Sequence, residues 1–304
     1  MVITGAGGFI GSRFLKVARG DGSFLVCALR SHSTAPSSLA QALPDAFAVN
    51  PSDSAMIEQA EILVHIGAFT PKHADEINDS VRAFSNVTLT EKLLGLPWKN
   101  LKKVVYLSTI DVYGAVNETI DESTPTNPQS LYAISKLQCE EMVNLFAAER
   151  GIRSQILRVG HVYGPGEEQY AKLIPRTISR ILSSQNVEIW GSGMDLRSFI
   201  HVDDVVSGIL SATSITYQPT VINMVSGASI SVRDLVSLLV KMGGEATPIV
   251  IKKSTGTATN FIFDNSKMRD HLLPIERDFE AGLLEEFGHM TLQKAAEDSD
   301  ELQE

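Results

Sequence analysis

The sequence has only two cysteines, no long apolar run and fewer basic than acidic residues, and each shortage excludes a class of protein. Cys27 and Cys139 lie in apolar segments without the spacing of a zinc site or a disulfide framework, which fits a reducing, cytoplasmic location. No apolar run reaches the roughly 18 residues of a membrane span, and the first residues lack a signal-peptide pattern. The net charge of −10 argues against nucleic acids and membranes as partners.

Apolar residues are present in quantity. They make up 43% of the 304 residues, which is enough for a sizeable core and too much for a disordered chain. At roughly 150 residues per domain, the length predicts one large or two modest domains. The last eight residues contain five acidic and no basic side chains. We therefore expect residues 291–304 to form a disordered acidic tail.

Short apolar runs alternate with amphipathic stretches in the first half of the chain. The runs are Val2–Thr4, Phe24–Leu29, Ala46–Val49, Ile62–Ile66, Val104–Ser108 and Gln155–Val159. Continuous runs of this kind are typical of parallel strands buried on both faces. Helices are expected between them, for example at Ser12–Arg19 and Val81–Leu94. The alternation predicts an α/β fold with a Rossmann-like, doubly wound parallel sheet.

The second half is mixed and predicts a smaller α/β domain. Helices are expected at Ile174–Leu182, Asp203–Ala212 and Ser231–Met242, and a strand at Val187–Trp190. Ser231 stands three residues before Asp234, a spacing that predicts a helix N-cap. We expect a dinucleotide-binding domain over residues 1–165, ending just after the last sheet strand, and a substrate domain over residues 166–290 that is interleaved with it.

A glycine-rich turn separates the first strand from the first helix. Its spacing is GxxGxxG rather than the common GxGxxG, with glycines at positions 5, 8 and 11. Glycines permit a tight turn and a close approach of backbone to a pyrophosphate, and a helix N-terminus offers free N–H groups to it. This position between strand and helix predicts a dinucleotide site formed by Gly5, Gly8, Phe9, Ile10 and Gly11.

The end of the second strand is where an acidic residue would bind the ribose 2′-hydroxyl of NAD. This chain has Arg30 and then Ser31 at that point. A guanidinium pairs with a 2′-phosphate through its planar fork, so the pattern favours NADP over NAD. A solvated loop arginine would leave the preference open.

Tyr132 and Lys136 are four residues apart and therefore share one face of a predicted helix. That face continues as a buried stripe through Cys139 and Val143, which places the pair beside a cleft. A nearby ammonium would lower the pKa of the phenol. The phenol would then exchange a proton with a sugar hydroxyl or carbonyl near neutral pH. A surface Tyr and Lys with this spacing are the alternative.

Further motifs occur in order along the chain. They are His65-Ile-Gly-Ala68, Asn86, Leu107-Ser-Thr109, Val112-Tyr-Gly114, Leu157-Arg158, Val162-Tyr-Gly-Pro-Gly166, Lys172-Leu-Ile-Pro175 and Arg197-Ser-Phe-Ile-His-Val-Asp-Asp204. Together with the glycine turn and the Tyr–Lys pair, they resemble the extended short-chain dehydrogenase/reductase family, in its NAD-dependent epimerase/dehydratase branch that modifies nucleotide sugars. The resemblance runs from Val2 to about Leu238.

The resemblance implies a catalytic set at one sheet edge. Tyr132 would be the acid/base, Thr109 would orient the substrate oxygen, and Lys136 would hold the nicotinamide ribose. Hydride would move between a substrate carbon and nicotinamide C4. Asn50, Ala68 and Asn86 are expected to contact the cofactor as well. Relatives commonly form homodimers through a helix bundle, and the non-catalytic side of the Tyr–Lys helix offers Ile134, Leu137, Met142 and Leu145 for one.

The resemblance also implies a nucleotide-diphosphate sugar as substrate. Lys172 and Arg197 match positions that often contact the substrate diphosphate, where cations pair with phosphate oxygens. A solvated lysine and a structural arginine are the alternatives. His161 falls where many members have Asn, and it fits diphosphate contact, another substrate or a satisfied polar residue. His201 and its neighbour Asp203 have no further His or Cys nearby, so no metal is expected.

Departures from the family pattern separate the subclasses. The 4,6-dehydratases carry Thr-Asp-Glu before Val-Tyr-Gly, whereas this chain has Thr109, Ile110 and Asp111. Ile110 cannot exchange protons, which disfavours a 4,6-dehydratase. Asp111 stands where the dehydratase Glu and the epimerase/reductase Cys lie. It either exchanges a proton with a sugar carbon or caps the loop.

The leading hypothesis is an NADP-dependent reduction of the keto group of a nucleotide-linked 4-keto-6-deoxy sugar, with Tyr132 as proton donor. Arg30 supports it, because a reductase that releases its cofactor each turn gains from the reduced NADP pool. The alternative is a nucleotide-sugar 4-epimerase that retains NAD. A non-catalytic nucleotide-sensing protein is a distant alternative, against which the complete set of Thr109, Tyr132 and Lys136 argues.

Overall fold

The computed structural model describes residues 1–20, 26–29, 47–49, 54–116, 118–216, 219–244, 247–253 and 260–301. Three expected cofactor residues, Arg30, Ser31 and Asn50, lie outside the described residues.

Strands and helices alternate along the described chain. The strands are β1 (Val2–Thr4), β2 (Cys27–Leu29), β3 (Phe47–Val49), β4 (Ile62–His65), β5 (Lys103–Thr109), β6 (Arg153–Val159), β7 (His161–Tyr163), β8 (Val187–Trp190), β9 (Leu196–Arg197), β10 (Phe199–His201), β11 (Val221–Met224), β12 (Ile230–Ser231) and β13 (Ile249–Lys252). The helices are α1 (Phe9–Gly20), α2 (Ser54–Gln59), α3 (Ser80–Leu94), α4 (Leu131–Arg150), α5 (Leu173–Leu182), α6 (Val202–Ala212), α7 (Val232–Met242), α8 (Ser266–His271) and α9 (Phe279–Glu301).

A seven-stranded parallel sheet, in the order β11-β6-β5-β4-β1-β2-β3, forms the centre of the first part. Neighbouring residues alternate between its two faces. Ile3 and Val105 pack on one face with Phe14 of α1, whereas Val2 and Tyr106 pack on the other face in the cluster that holds Cys139 of α4. The predicted doubly wound α/β fold is confirmed, and strand order reverses between β1 and β4, where such folds bind ligands.

The second part is built from two-stranded sheets and three helices. The sheets pair β7 with β10, β9 with β12, and β8 with β13. Its core contains Ile178 of α5, Leu235 of α7 and Leu283 of α9. The predicted cap of α7 is present, since the Ser231 side chain accepts from the Asp234 N–H at 3.0 Å.

The chain returns to the central sheet after residue 165. Helix α6 packs against α1, and β11 pairs with β6 at the sheet edge. The expectation that the last sheet strand precedes residue 165 is therefore wrong. The pairing of β11 joins segments far apart in the chain, which a local apolar pattern does not reveal.

The expectation of a disordered tail from residue 291 also needs correction, because α9 continues to Glu301. Ala295, Ala296 and their Leu, Gln and Lys neighbours are strong helix formers, and they outweigh the acidic charge. Across the described ranges, no helix combines the length and the apolar character needed to cross a membrane.

Candidate active site

A cavity of about 1840 Å³ opens at the carboxyl ends of β1, β4 and β5. Most of the predicted site residues in the described ranges line it: Gly5, Gly8, Phe9, Ile10, Gly11, Ala68, Thr109, Asp111, Tyr132, Lys136, His161, Lys172 and Arg197. The cavity thus joins the glycine turn and the Tyr–Lys helix of the first part to three basic side chains of the second part.

Two glycines of the turn, Gly5 and Gly11, leave no room for a side chain. Gly5 has φ +75°, and a Cβ there would lie 2.6 Å from the Gly67 amide nitrogen. A Cβ on Gly11 would lie 2.0 Å from the Gly5 carbonyl oxygen. Helix α1 begins directly behind this turn, at Phe9, and so directs its first N–H groups at the cavity. A backbone cradle at a helix N-terminus fits the pyrophosphate of a dinucleotide.

A buried histidine holds the two loops of this cradle together. Thr4 Oγ1 accepts from the Gly67 N–H at 3.0 Å and lies 2.8 Å from His65 Nδ1. Burial, and secondly the charge of Lys136, lower the pKa of His65 to about 3, so the ring is neutral. Its Nε2 lies 3.0 Å from the hydroxyl of Thr90, which itself donates to the Asn86 carbonyl, so Nε2 carries the proton. This role of His65 was not foreseen from the sequence.

Asn86 is not among the described residues that line the cavity. Its side-chain oxygen accepts from the Phe69 N–H at 2.7 Å, and its Nδ2 donates to the Phe69 carbonyl at 3.2 Å. Nδ2 also lies 3.3 Å from Ser135 Oγ on the Tyr–Lys helix. The structure gives Asn86 a positioning role, in which it fixes the loop after β4 against α4, and its expected cofactor contact stays a prediction.

Tyr132 lies at the centre of the cavity wall. It is buried, and the neighbouring side chains of Thr70 and Thr109 act to lower the pKa of its phenol. Burial, and then the negative charge of Asp111, raise the pKa of the phenol above its ordinary value. The expectation that Lys136 lowers this pKa is therefore wrong for this structure, because desolvation disfavours the phenolate more than its surroundings stabilise it.

Lys136 is turned toward the central sheet. Its Nζ donates to the Leu107 carbonyl at 2.5 Å and lies 4.4 Å from the centre of the Tyr106 ring. Burial lowers the pKa of this buried ammonium to about 8. The side chain still borders the cavity and so remains available to a ribose hydroxyl.

Thr109 and Asp111 form a compact polar turn at the end of β5. Thr109 Oγ1 accepts from the Asp111 N–H at 3.2 Å and donates to Asp111 Oδ2 at 3.1 Å. Burial raises the pKa of the Asp111 carboxyl, while the Thr109 hydrogen bond and then the charge of Lys172 act in the opposite direction. A buried carboxyl on the cavity wall is suited to proton exchange, since its pKa moves toward neutrality.

The far end of the cavity is basic. Lys172 Nζ lies 3.0 Å from Glu167 Oε1 and 5.1 Å from the Tyr170 ring centre. The Arg197 guanidinium lies 5.3 Å from the Phe261 ring centre. Burial, followed by the charges of Arg197 and Lys172, lowers the pKa of His161 to about 4, so this ring is neutral.

Three side chains with metal-ligating atoms, His201, Asp203 and Glu285, come within 4.8 Å of one another in the described part of the chain. Both carboxylates are already paired. Arg13 lies 2.5 Å from Asp203, and Arg277 contacts Asp203 at 3.3 Å and also binds Glu285. The two guanidinium groups already neutralise the two carboxylates that would bind a cation. The absence of a metal stays a prediction.

The cavity also contains residues that the sequence patterns did not single out. Thr70 acts to lower the pKa of the Tyr132 phenol, and Tyr170 lies 6.2 Å from Phe9 and 5.7 Å from the ammonium of Lys72. These residues lie in loops without regular periodicity. Only their position opposite the motifs in three dimensions shows that they belong to the site.

Fold and cavity together define an enzyme that works with a dinucleotide at the carboxyl edge of a Rossmann-type sheet. The chain belongs to the NAD dependent epimerase/dehydratase family, whose model matches residues 1–224. The predicted family is thereby confirmed, and with it the class of NAD(P)-dependent oxidoreductases and epimerases.

Individual relatives are similar over most of the chain. A dTDP-glucose 4,6-dehydratase of Streptomyces griseus is 29% identical over 263 residues, which is 80% of this chain and 78% of the relative. The structure of a UDP-glucose 4-epimerase of Thermotoga maritima with UDP-glucose has a TM-score of 0.81 at 26% identity, covering 96% of this chain and 98% of that one. MoeE5 in complex with UDP-glucuronic acid and NAD has a TM-score of 0.80 at 25% identity, covering 96% and 99%.

Proposed function

We propose that the protein is an oxidoreductase of nucleotide-diphosphate sugars in which Tyr132 is the acid/base. One observation carries the proposal: Tyr132 and Thr109 line the same cavity, between the glycine turn and the basic residues. The nucleotide sugars and NAD named with the Thermotoga maritima epimerase and with MoeE5 support the same substrate and cofactor classes.

Residues of the first part would hold the dinucleotide. Gly5, Gly8 and Gly11 would receive the pyrophosphate on bare backbone, and Lys136 would hold the nicotinamide ribose. When bound, the nicotinamide supplies or accepts the hydride. The second part would supply Lys172 and Arg197 for the substrate phosphates. Under this proposal, the expected boundary near residue 165 separates the residues that bind the cofactor from those that bind the substrate phosphates.

The charge state of Tyr132 favours reduction. A phenol whose pKa is raised by burial and by Asp111 holds its proton at neutral pH. Such a group is ready to donate a proton to an oxygen that gains negative charge as hydride arrives at the carbonyl carbon. The Thr109 hydroxyl, which lines the same cavity, would orient that oxygen. We therefore propose reduction of a 4-keto-6-deoxy sugar on its nucleotide, with NADPH as the hydride source.

A 4-epimerase that retains NAD is the second candidate, favoured by the similarity to the Thermotoga maritima enzyme. A 4,6-dehydratase is disfavoured, although the Streptomyces griseus relative carries that name. Ile110 stands where the resemblance implies the dehydratase Asp, and its side chain packs in an apolar cluster with Val112 and Phe263. The isoleucine side chain itself has no proton to give to a leaving hydroxyl.

The test is a direct assay. The purified protein is mixed with dTDP- or UDP-linked 4-keto-6-deoxyglucose and NADPH, and oxidation of the nicotinamide is followed. We expect turnover in the wild type and a loss of about a thousandfold in Tyr132→Phe, a size typical of a removed general acid. Cofactor titration of Tyr132→Phe should give nearly the wild-type Kd and so verify folding. Full activity in this variant would show that Tyr132 is not the acid.

The same samples separate the two candidates. UDP-glucose is incubated with the protein and NAD, and the products are resolved by chromatography. Formation of the 4-epimer without net nicotinamide oxidation would replace the reductase proposal with the epimerase. Cofactor binding without turnover of any nucleotide sugar would point to the nucleotide-sensing alternative.

We also propose that the protein is a homodimer that pairs through α3 and α4. Val81 is 82% exposed and Leu145 is 63% exposed, while Phe84 and Ile134 are each 40% exposed. Ile134 and Leu145 lie three helical turns apart and so share a face. Two other residues expected there, Leu137 and Met142, instead pack partly against the protein's own clusters.

Light scattering after size exclusion tests the dimer. We expect a dimer mass for the wild type and a monomer for the double variant Val81→Glu and Leu145→Glu, because two charges would be buried without partners. An unchanged dimer in that variant would place the interface elsewhere.

A further inference from the structure

A buried pair of carboxyl groups connects the C-terminal helix to the basic end of the cavity. Glu167, in the short 3-10 helix Glu167–Gln169, is 2% exposed, and Glu286 of α9 is fully buried. Glu167 Oε1 lies 3.0 Å from Lys172 Nζ, which borders the cavity. The charge of Glu167 acts on Glu286, and Glu167 in turn contacts a residue proposed to bind the substrate phosphates.

The hydrogen bonds of this pair are incomplete. Glu286 Oε2 accepts from the Gly164 N–H at 2.9 Å. The other oxygens, Glu286 Oε1 and Glu167 Oε2, are buried and have no hydrogen-bond partner in the described part of the chain. Two ionised carboxylates beside one ammonium would leave a buried negative charge and two unsatisfied acceptors. One proton held by Glu167 or Glu286 removes the excess negative charge. It also supplies a hydrogen-bond donor for one of the two unsatisfied oxygens.

The surroundings favour that proton. Burial, followed by the charge of Glu167, raises the pKa of Glu286 to about 8. Burial raises the pKa of Glu167 to about 7, against the opposing charge of Lys172. The other titratable groups that face the pair are Glu168 of the same 3-10 helix, Tyr163 of β7, Tyr170 before α5, and His289 of α9, which lies 3.6 Å from Glu168.

We propose that Glu286 is a positioning residue for the substrate end of the cavity: it shares one proton with Glu167, and this proton sets the net charge beside Lys172. The inference rests on the proposed function, because it takes Lys172 as a phosphate ligand. Glu286 touches neither substrate nor cofactor and acts through Glu167 and Lys172.

The sign of the effect follows from the charges. With the proton present, Lys172, Glu167 and Glu286 sum to zero. Without it they sum to −1, which opposes an arriving diphosphate. Nucleotide-sugar affinity should therefore fall as pH rises through neutrality. Glutamine at position 286 mimics the protonated carboxyl and should fix the neutral state at every pH.

Binding of nucleotide sugars at several pH values tests the proposal. UDP-glucose and dTDP-glucose are suitable probes, because their diphosphates do not titrate between about pH 6 and about pH 8.5. In calorimetric titrations we expect the wild-type Kd to rise about fivefold over this range. The matched control Glu280→Gln, at an exposed position on the same helix, should behave like the wild type. Glu286→Gln should keep the low-pH Kd throughout.

Either of two results would overturn the proposal. One is an undiminished pH dependence in Glu286→Gln, which would assign the titration to other groups. The other is a weakening of binding by the same factor at every pH, which would reduce Glu286 to a purely structural residue.

A second measurement needs no ligand. A carboxyl whose pKa is raised by folding retains a proton that the unfolded chain releases above about pH 4.5, so stability falls as pH rises toward the folded pKa. We expect the Tm of the wild type to fall between about pH 5 and about pH 8, and Glu286→Gln to remove part of that fall. Parallel curves of Tm against pH for the wild type and Glu286→Gln would contradict the proposal that Glu286 and Glu167 share a proton. Absence of nucleotide-sugar binding in the wild type would instead overturn the proposed function, and with it the action on substrate.

Discussion

Lys136 donates a hydrogen bond from Nζ to the Leu107 carbonyl at 2.5 Å, while the phenol of Tyr132, one helical turn away, has Thr70 and Thr109 as neighbours. The two residues share a helix face, but their polar atoms have separate partners. The ammonium is thus anchored to the end of a central strand, beside the cavity, and the phenol lies in the cavity wall. Under the proposed function, proton donation by Tyr132 and ribose binding by Lys136 would be separable tasks.

Burial of the Lys136 ammonium has a measurable effect on stability. The pKa of Lys136 is lowered to about 8, whereas the pKa of a lysine in an unfolded chain is about 10.4. Between these values the unfolded chain binds more protons than the folded protein, so the free energy of unfolding rises with pH. Below about pH 8 both states are protonated and the full burial cost remains.

Lys136→Met is therefore expected to have a higher Tm than the wild type at about pH 7, with an advantage that shrinks by about pH 10. Catalysis should be lost, since methionine cannot hold a ribose hydroxyl. Lys102→Met, at an exposed lysine, is the control and should show no such pH-dependent difference. Thermal unfolding across this range decides, and a Tm below the wild type at neutral pH would contradict the argument.

Gly11→Ala is expected to impair cofactor binding. Its Cβ would lie 2.0 Å from the Gly5 carbonyl oxygen, so the backbone of the turn must move. We expect at least a tenfold (about 1.4 kcal/mol) loss of affinity in fluorescence titrations with reduced nicotinamide cofactors, together with a lower Tm.

Gly20→Ala is the matched control on the same helix. A Cβ at Gly20 would meet no atom of the described structure within 4 Å, so affinity and Tm should remain close to wild type. Equal losses in both variants would show that the close approach at the turn is not responsible, because the change to alanine raises helix propensity at both positions.

The cofactor half of the molecule was predictable because its signals are local. Buried parallel strands give continuous apolar runs. A turn position without room for a side chain requires glycine, as at Gly5, where a Cβ would lie 2.6 Å from the Gly67 amide nitrogen. The same holds for the cap of α7, where Ser231 and Asp234 are three residues apart.

The substrate half was less predictable because its contacts join distant segments. Strand β11 pairs with β6, and Glu286 meets the loop before α5, with no pattern in the intervening chain. The direction of the Lys136 side chain is a rotamer choice that depends on the carbonyl of Leu107, so helical spacing alone suggested a contact with Tyr132 that the structure does not contain.

Asp111→Asn separates the two roles considered for this residue. Asparagine retains an acceptor for the Thr109 hydroxyl and leaves the backbone hydrogen bond to Thr109 in place, but it cannot exchange a proton. Because the carboxyl is buried on the cavity wall, we expect kcat to fall about a hundredfold while Tm is unchanged or higher. A lower Tm with wild-type kcat would show that Asp111 only caps the loop.

The sequence predicts that Arg30 sets the choice between the two cofactors, and Arg30 lies outside the described residues. A guanidinium pairs with the 2′-phosphate of NADPH and has no such partner on NADH. We expect the wild type to bind NADPH at least tenfold (about 1.4 kcal/mol) more tightly than NADH, and Arg30→Ala to lose this margin without weaker NADH binding. Arg176→Ala, at an exposed arginine on α5, should change neither Kd.

The structure of MoeE5, which has the same fold, contains NAD, so the titration can also give a preference for NADH over NADPH. A preference for NADH, or NAD that co-purifies and resists exchange, would contradict the role of Arg30. The NAD-retaining 4-epimerase would then be the leading candidate, because an enzyme that returns its hydride each turn has no need of the NADP pool.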